Sequence, residues 1–81
     1  MQVKVLFFAQ ARDHAGTAER QLECAEGARV SDLLDRLTAE IPTLAVLRPH
    51  LAIAIDGELV RGDALLVAGG EVALLPPVSG G

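Results

Sequence analysis

The chain has 81 residues, 51% of them apolar, which allows one small domain with one core and excludes a two-lobed enzyme with a cleft between its lobes. Only Phe7 and Phe8 are aromatic, so the core must come from Leu, Val, Ile and Ala. Seven Lys plus Arg against eleven Asp plus Glu give a formal charge of −4, and no basic cluster interleaved with aromatic residues is present, so no nucleic acid partner is expected.

Gln2 to Phe8 is rich in β-branched and aromatic types, with Val3, Val5 and Phe7 on one side at period two, and reads as a strand. Its other side carries Gln2, Lys4, Leu6 and Phe8, so the pattern starts half-buried and ends with both faces apolar. Ala9 to Glu19, polar and holding Gly16 and Thr17, reads as a loop. Arg20 to Cys24 is a second, weaker strand with Leu22 and Cys24 inward, and a hairpin is the simplest link between the two. Cys24 is the single cysteine, which excludes an internal disulfide and a cysteine-only metal site, fits a reducing cytoplasmic setting, and reads as a small, buried or half-buried hydrophobe.

After a turn at Glu26-Gly27, Val30, Leu33, Leu34, Leu37 and Ile41 fall at spacings of three and four, which predicts one helix from about Val30 to Ile41. Ser31 and Asp32 suit its first turn and Pro42 stops it. Thr43 to His50 adds a further helical turn closed by Pro49. Leu51 to Ile55 is β-like, Asp56-Gly57 is a tight hairpin turn, and Glu58 to Val60 is the return strand. Arg61 to Gly70 has no clear period. Glu71 to Leu75 is a last strand, with Val72 and Leu74 inward. One helix crossing a sheet of about five strands is a two-layer α+β arrangement, and a ubiquitin-like β-grasp over residues 1–75 is the expected fold.

Beyond Leu75 the sequence is Pro76-Pro77-Val78-Ser79-Gly80-Gly81. The prolines cannot donate backbone hydrogen bonds and fix φ, so the chain is expected to leave the sheet extended. Six residues at about 3.3 Å each give a reach of roughly 20 Å. The glycine pair has no Cβ to clash in a narrow channel. Stiff spacer and bare end together suit a carboxylate delivered to another protein's active site. A carboxylate is a poor electrophile, so such chemistry first converts it to a mixed anhydride, which a sulfur or amine nucleophile then attacks.

Val5-Leu6-Phe7-Phe8-Ala9-Gln10 with Arg12 following, Gly16 in the first loop, and Glu71-Val72-Ala73 running into Leu74-Leu75-Pro76-Pro77-Val78-Ser79-Gly80-Gly81 resemble the small, sulfur carrier subunit of molybdopterin synthase over nearly the full length. A terminal Gly-Gly alone would point only to ubiquitin-like proteins and sulfur carriers in general. The resemblance implies that an adenylating enzyme like those that activate ubiquitin uses ATP and magnesium to place AMP on the Gly81 carboxylate. Sulfur from a persulfide donor then leaves a thiocarboxylate there. The charged tail enters a pocket of the large synthase subunit, within a heterotetramer, and donates sulfur to cyclic pyranopterin monophosphate, two carriers being spent per molybdopterin. Leu74 and Leu75 stand where the family often has a second aromatic pair, and Arg29 where a helix-capping Thr is common.

Gly81 is on this reading the reactive residue, and Gly80 lets the backbone through a constriction. Pro76, Pro77, Val78 and Ser79 line the channel. Leu6, Phe8 and Leu75 project from the face opposite the helix as a partner surface, and Arg12 is placed to pair with acidic groups of a partner. His14 and His50 have no companion ligands, so no metal site is expected, and Arg61-Gly62-Asp63 reads as a turn. No nucleophile, base and orienting group occur together, so the chain is expected to bind no cofactor and to act as co-substrate. No stretch reaches the roughly 18 apolar residues of a membrane span, and the N-terminus lacks a signal peptide pattern, so a soluble cytoplasmic chain is expected. The rival readings are a sulfur carrier for thiazole, cysteine or tRNA thiolation, a modifier that forms isopeptide bonds with lysines, and a β-grasp binding module with an inert tail.

Overall fold

The structure is a computed structural model and describes residues 1–77. Alternating apolar residues build β1 (Gln2–Phe7), and its inward set Val3, Val5 and Phe7 is almost fully buried. The chain continues through α1 (Ala9–Ala15), β2 (Glu19–Glu23), α2 (Val30–Glu40), two 3₁₀ turns (Pro42–Val46 and Arg48–His50), β3 (Ala52–Ile55), β4 (Glu58–Val60) and β5 (Glu71–Leu75). The five strands form one mixed sheet in the order β2-β1-β5-β3-β4, with β1 and β5 parallel at its centre and the other pairs antiparallel. This is the expected α+β, ubiquitin-like β-grasp arrangement.

Helix α2 lies on one sheet face because its apolar residues share one side. Val30, Leu33, Leu34 and Leu37 are buried and join Val3, Val5, Phe7, Leu22, Leu44, Leu66, Val72 and Leu74 in the core. Ile41, expected as the last helical residue, is the C-cap; it leaves helical φ/ψ before Pro42, as a residue ahead of proline tends to do. The Asp56-Gly57 hairpin is present, with both residues at positive φ (50° and 84°), as the twist of a two-residue turn requires. Asp56 also ties the turn to β5, its carboxylate accepting from the Glu71 N–H at 2.9 Å.

Ala9 to Glu19, expected as a loop, contains a helix. Instead of a loop and a simple hairpin, the link between β1 and β2 contains α1, although the two strands do pair antiparallel. Its alanines are strong helix formers, but Ala11 alone is buried, so no apolar periodicity announces the helix. Gly16 ends it in the left-handed region at φ 74°, donating its N–H to the Arg12 carbonyl at 2.8 Å.

The N-terminus of α2 is held from a distance. Asp32 accepts from the Arg29 N–H at 2.8 Å. Asp63, read from sequence as part of a turn, accepts from the Ser31 N–H at 2.7 Å and the Ser31 hydroxyl at 2.6 Å, while the Arg29 guanidinium donates to the Asp63 carbonyl at 2.8 Å. The Asp63 carboxyl is held below its ordinary value of 3.8 by the Ser31 hydroxyl first and the Ser31 N–H next, helped by the Arg29 and Arg48 charges. Asp63→Ala is therefore expected to lower the midpoint of thermal unfolding by a few degrees at neutral pH. A depressed carboxyl stabilises above its unfolded value and loses that effect as pH falls through its folded one. The gap between wild type and variant should close below pH 3.8, as calorimetry across acid pH will read.

Candidate functional site

With α2 on one face of the sheet, the side chains that alternate with the core residues form the other face, and the strand register sets them in rows. Leu6 stands beside Ala73, Ala73 beside Ala54, and Ala54 beside Leu59, an apolar row across four strands. A second row runs from Phe8, which extends β1, to Leu75 and Ala52. A third is polar: neutral Gln21 beside the charged pair Lys4 and Glu71. Lys4 Nζ lies 3.7 Å from a Glu19 carboxylate oxygen and 4.0 Å from one of Glu71.

Phe8 is 45% exposed and Leu59 70% exposed, whereas Ala54 is only 6% exposed. Small alanines thus stand at the centre of the first row and the larger Leu6 and Leu59 at its ends. Leu6, Ala73 and Leu75 are half-buried. The Phe8 N–H donates to the Leu74 carbonyl at 3.3 Å, extending the central parallel pair, so β5 ends beside Phe8 at the same edge of the sheet. Pro76 is half-buried and Pro77 exposed at this exit.

Four of the expected site residues are thus brought together: Leu6, Phe8 and Leu75 on one face, with Pro76 at its edge. Arg12 lies on α1, exposed, one position past buried Ala11 and off the rows; among the described residues it enters no ion pair. Val78, Ser79, Gly80 and Gly81 lie outside the described residues. Ala52, Ala54, Ala73 and Leu59 were not singled out from sequence. The signal for two of them was present, because a two-residue turn at Asp56-Gly57 sets Ile55 opposite Glu58 and so Ala54 opposite Leu59.

Other chemistry is sparse. Among the described residues no three His, Cys, Asp or Glu side chains come together as metal ligands. Cys24 is half-buried against the core and lines an open concavity of about 460 Å³ between the end of β2 and the first turns of α2, at the opposite end of β1 from Phe8. No described helix is long and apolar enough to cross a membrane.

Residues 5–81 match the model of the ThiS family. The chain belongs to the ThiS family. It is 41% identical to the molybdopterin synthase sulfur carrier subunit of Chlamydomonas reinhardtii, with all of both chains covered. The solution structure of small archaeal modifier protein 1 from Methanosarcina acetivorans superposes with a TM-score of 0.81 at 35% identity, covering 99% of this chain and 96% of that one. Subunits 1 and 2 of the molybdopterin-converting factor of Helicobacter pylori have been solved as a protein–protein complex, and a chain of that complex matches at TM-score 0.70 and 26% identity over 100% of both.

The two faces should respond differently to substitution. Leu74 has no exposure, so Leu74→Ala is expected to cost about 2–5 kcal/mol in urea unfolding. Leu59→Ser, on the open face, should change the unfolding free energy by no more than about 0.5 kcal/mol. A large loss for Leu59→Ser would mean that this face is part of the fold's own core.

Proposed function

We propose that this chain is the sulfur carrier subunit of a molybdopterin synthase, with the Gly81 carboxylate as its reactive group. The observation that carries the reading is the meeting of two features at one sheet edge: the strand that leads into Pro76-Pro77-Val78-Ser79-Gly80-Gly81 ends beside an apolar face that none of the described helices covers. Full-length similarity to named sulfur carrier subunits supports it.

In this cycle an adenylating enzyme uses ATP and magnesium: a Gly81 carboxylate oxygen attacks the α-phosphorus, pyrophosphate leaves, and an acyl adenylate forms. A persulfide donor supplies sulfur to the carbonyl carbon, AMP leaves with the electron pair of the broken C–O bond, and reductive cleavage of the S–S bond, with electrons from a thiol, releases the thiocarboxylate. The tail then carries this group into the large synthase subunit, which supplies the catalytic residues for sulfur transfer to cyclic pyranopterin monophosphate. Gly80 and Gly81 allow passage through a narrow channel, while Pro76 to Ser79 span it.

The body contributes docking. Burying an exposed Phe or Leu stabilises a complex by about 1.5–3 kcal/mol before association costs, so Phe8 and Leu59, flanked by half-buried Leu6 and Leu75, supply the apolar part of a partner surface. Arg12, on the adjoining helix, adds a cation for an acidic group of that partner. The same face serves the adenylating enzyme and the large subunit in turn, in the cytoplasm.

A second reading is favoured by the likeness to small archaeal modifier protein 1: the activated terminus joins lysines of other proteins. Mass spectrometry separates the two. Incubation with the adenylating enzyme, ATP, magnesium and a persulfide donor should exchange one oxygen for sulfur on the intact chain, and one residue added after Gly81 should abolish the gain without altering the fold. Labelling that persists in the extended chain would contradict the assignment of Gly81.

A further inference from the structure

An activated acyl terminus is a hazard to any free amine near it, and this chain carries almost none. Lys4 is its single lysine; every other cationic side chain is arginine, whose guanidinium stays protonated and does not form amides under these conditions. The Met1 ammonium is occupied: it donates to the Glu23 carboxylate and, at 2.7 Å, to the Cys24 carbonyl, and the Met1 side chain is 7% exposed. Lys4 differs. Its side chain is 36% exposed, its contacts with Glu19 and Glu71 are long at 3.7 and 4.0 Å, and it stands in the row next to Leu6 on the open face.

We propose that Lys4 Nζ is a modification site, acylated by the activated C-terminal glycine of a second copy of this chain, and that the amide so formed closes the docking face. The inference rests on the adenylation step proposed above. The neutral amine attacks the carbonyl carbon of the acyl adenylate, the C–N bond forms, and the C–O bond to phosphate breaks. AMP leaves with the electron pair, the amine's proton passes to solvent, and nothing is oxidised or reduced. Lys4 pairs opposite Glu71, four residues back along β5 from Leu75, so a second copy reaches it without its tail having to reverse direction after Pro76-Pro77, as the chain's own tail would have to.

Two effects follow from the amide. It removes the positive charge that separates Glu19 from Glu71, leaving two like charges beside the apolar rows. It also tethers a whole second domain over Leu6 and Ala73. The conjugate is therefore a carrier withdrawn from service, formed when activated chain accumulates without a sulfur donor.

The test uses the full chain in two arms. In one it is incubated with the adenylating enzyme, ATP and magnesium without a sulfur donor; in the other it carries a C-terminal thioester made by intein cleavage and needs no enzyme. Peptide mapping should find a covalent dimer joined from Gly81 to Lys4 in both arms, absent in Lys4→Arg. The purified dimer should bind no more than one large synthase subunit per two copies, where the free chain binds one per copy. Joining at another residue, a dimer that survives Lys4→Arg, a cyclised monomer, no dimer from the thioester chain, or undiminished binding by the dimer would each overturn the proposal. A Lys4-linked dimer in the thioester arm alone, with no mass gain from enzyme and ATP, would support the site and count against the adenylation reading.

Discussion

The structure depends on the pairing of β1 with β5. These two strands run parallel through the middle of the sheet, and each alternates strictly. Val3, Val5, Phe7, Val72 and Leu74 point toward α2 and are almost fully buried. Leu6, Ala73 and Leu75 point the other way. Because a strand's side chains have a period of two, the residues that anchor the helix fix which residues are left over. With one helical layer in a chain of this length, those remain uncovered, and the same pairing brings the end of β5 beside Phe8. Core, open face and exit of the chain are three consequences of one register.

Under the proposed function, that geometry explains how a small carrier takes part in chemistry: it presents a terminus and is recognised while doing so. The open face is apolar in two rows and polar in a third, so on the proposed reading a partner is drawn by area and held in register by Lys4, Glu19 and Glu71. Exposed ion pairs contribute little affinity, which assigns binding strength to the apolar rows and orientation to the polar one.

Much of this was legible in the sequence where the signal is periodic. The alternation of β1 and β5, the three-and-four spacing of α2 and the Asp56-Gly57 turn each express a backbone period or a required φ, and the structure has all of them. Helix α1 escaped because a short helix that buries Ala11 alone has no apolar stripe to detect. Asp63 escaped because its partner is Ser31, a contact that depends on tertiary placement and leaves no local pattern. In the site, Leu6, Phe8 and Leu75 were legible as apolar residues on the wrong side of a strand. Ala54 was legible only as the residue set opposite Leu59 by the Asp56-Gly57 turn, and Ala73 was not, since alanine is ambiguous in burial and gains meaning only once the rows are assembled.

The most direct measurement of the central claim is a titration of the isotope-labelled chain with the large subunit of a molybdopterin synthase, followed by amide chemical shifts. The perturbed residues should trace Leu6, Phe8, Ala73, Leu75 and the segment after them, with the solvent side of α2 unchanged. Perturbation centred on α2, with the helix-free face silent, would contradict it.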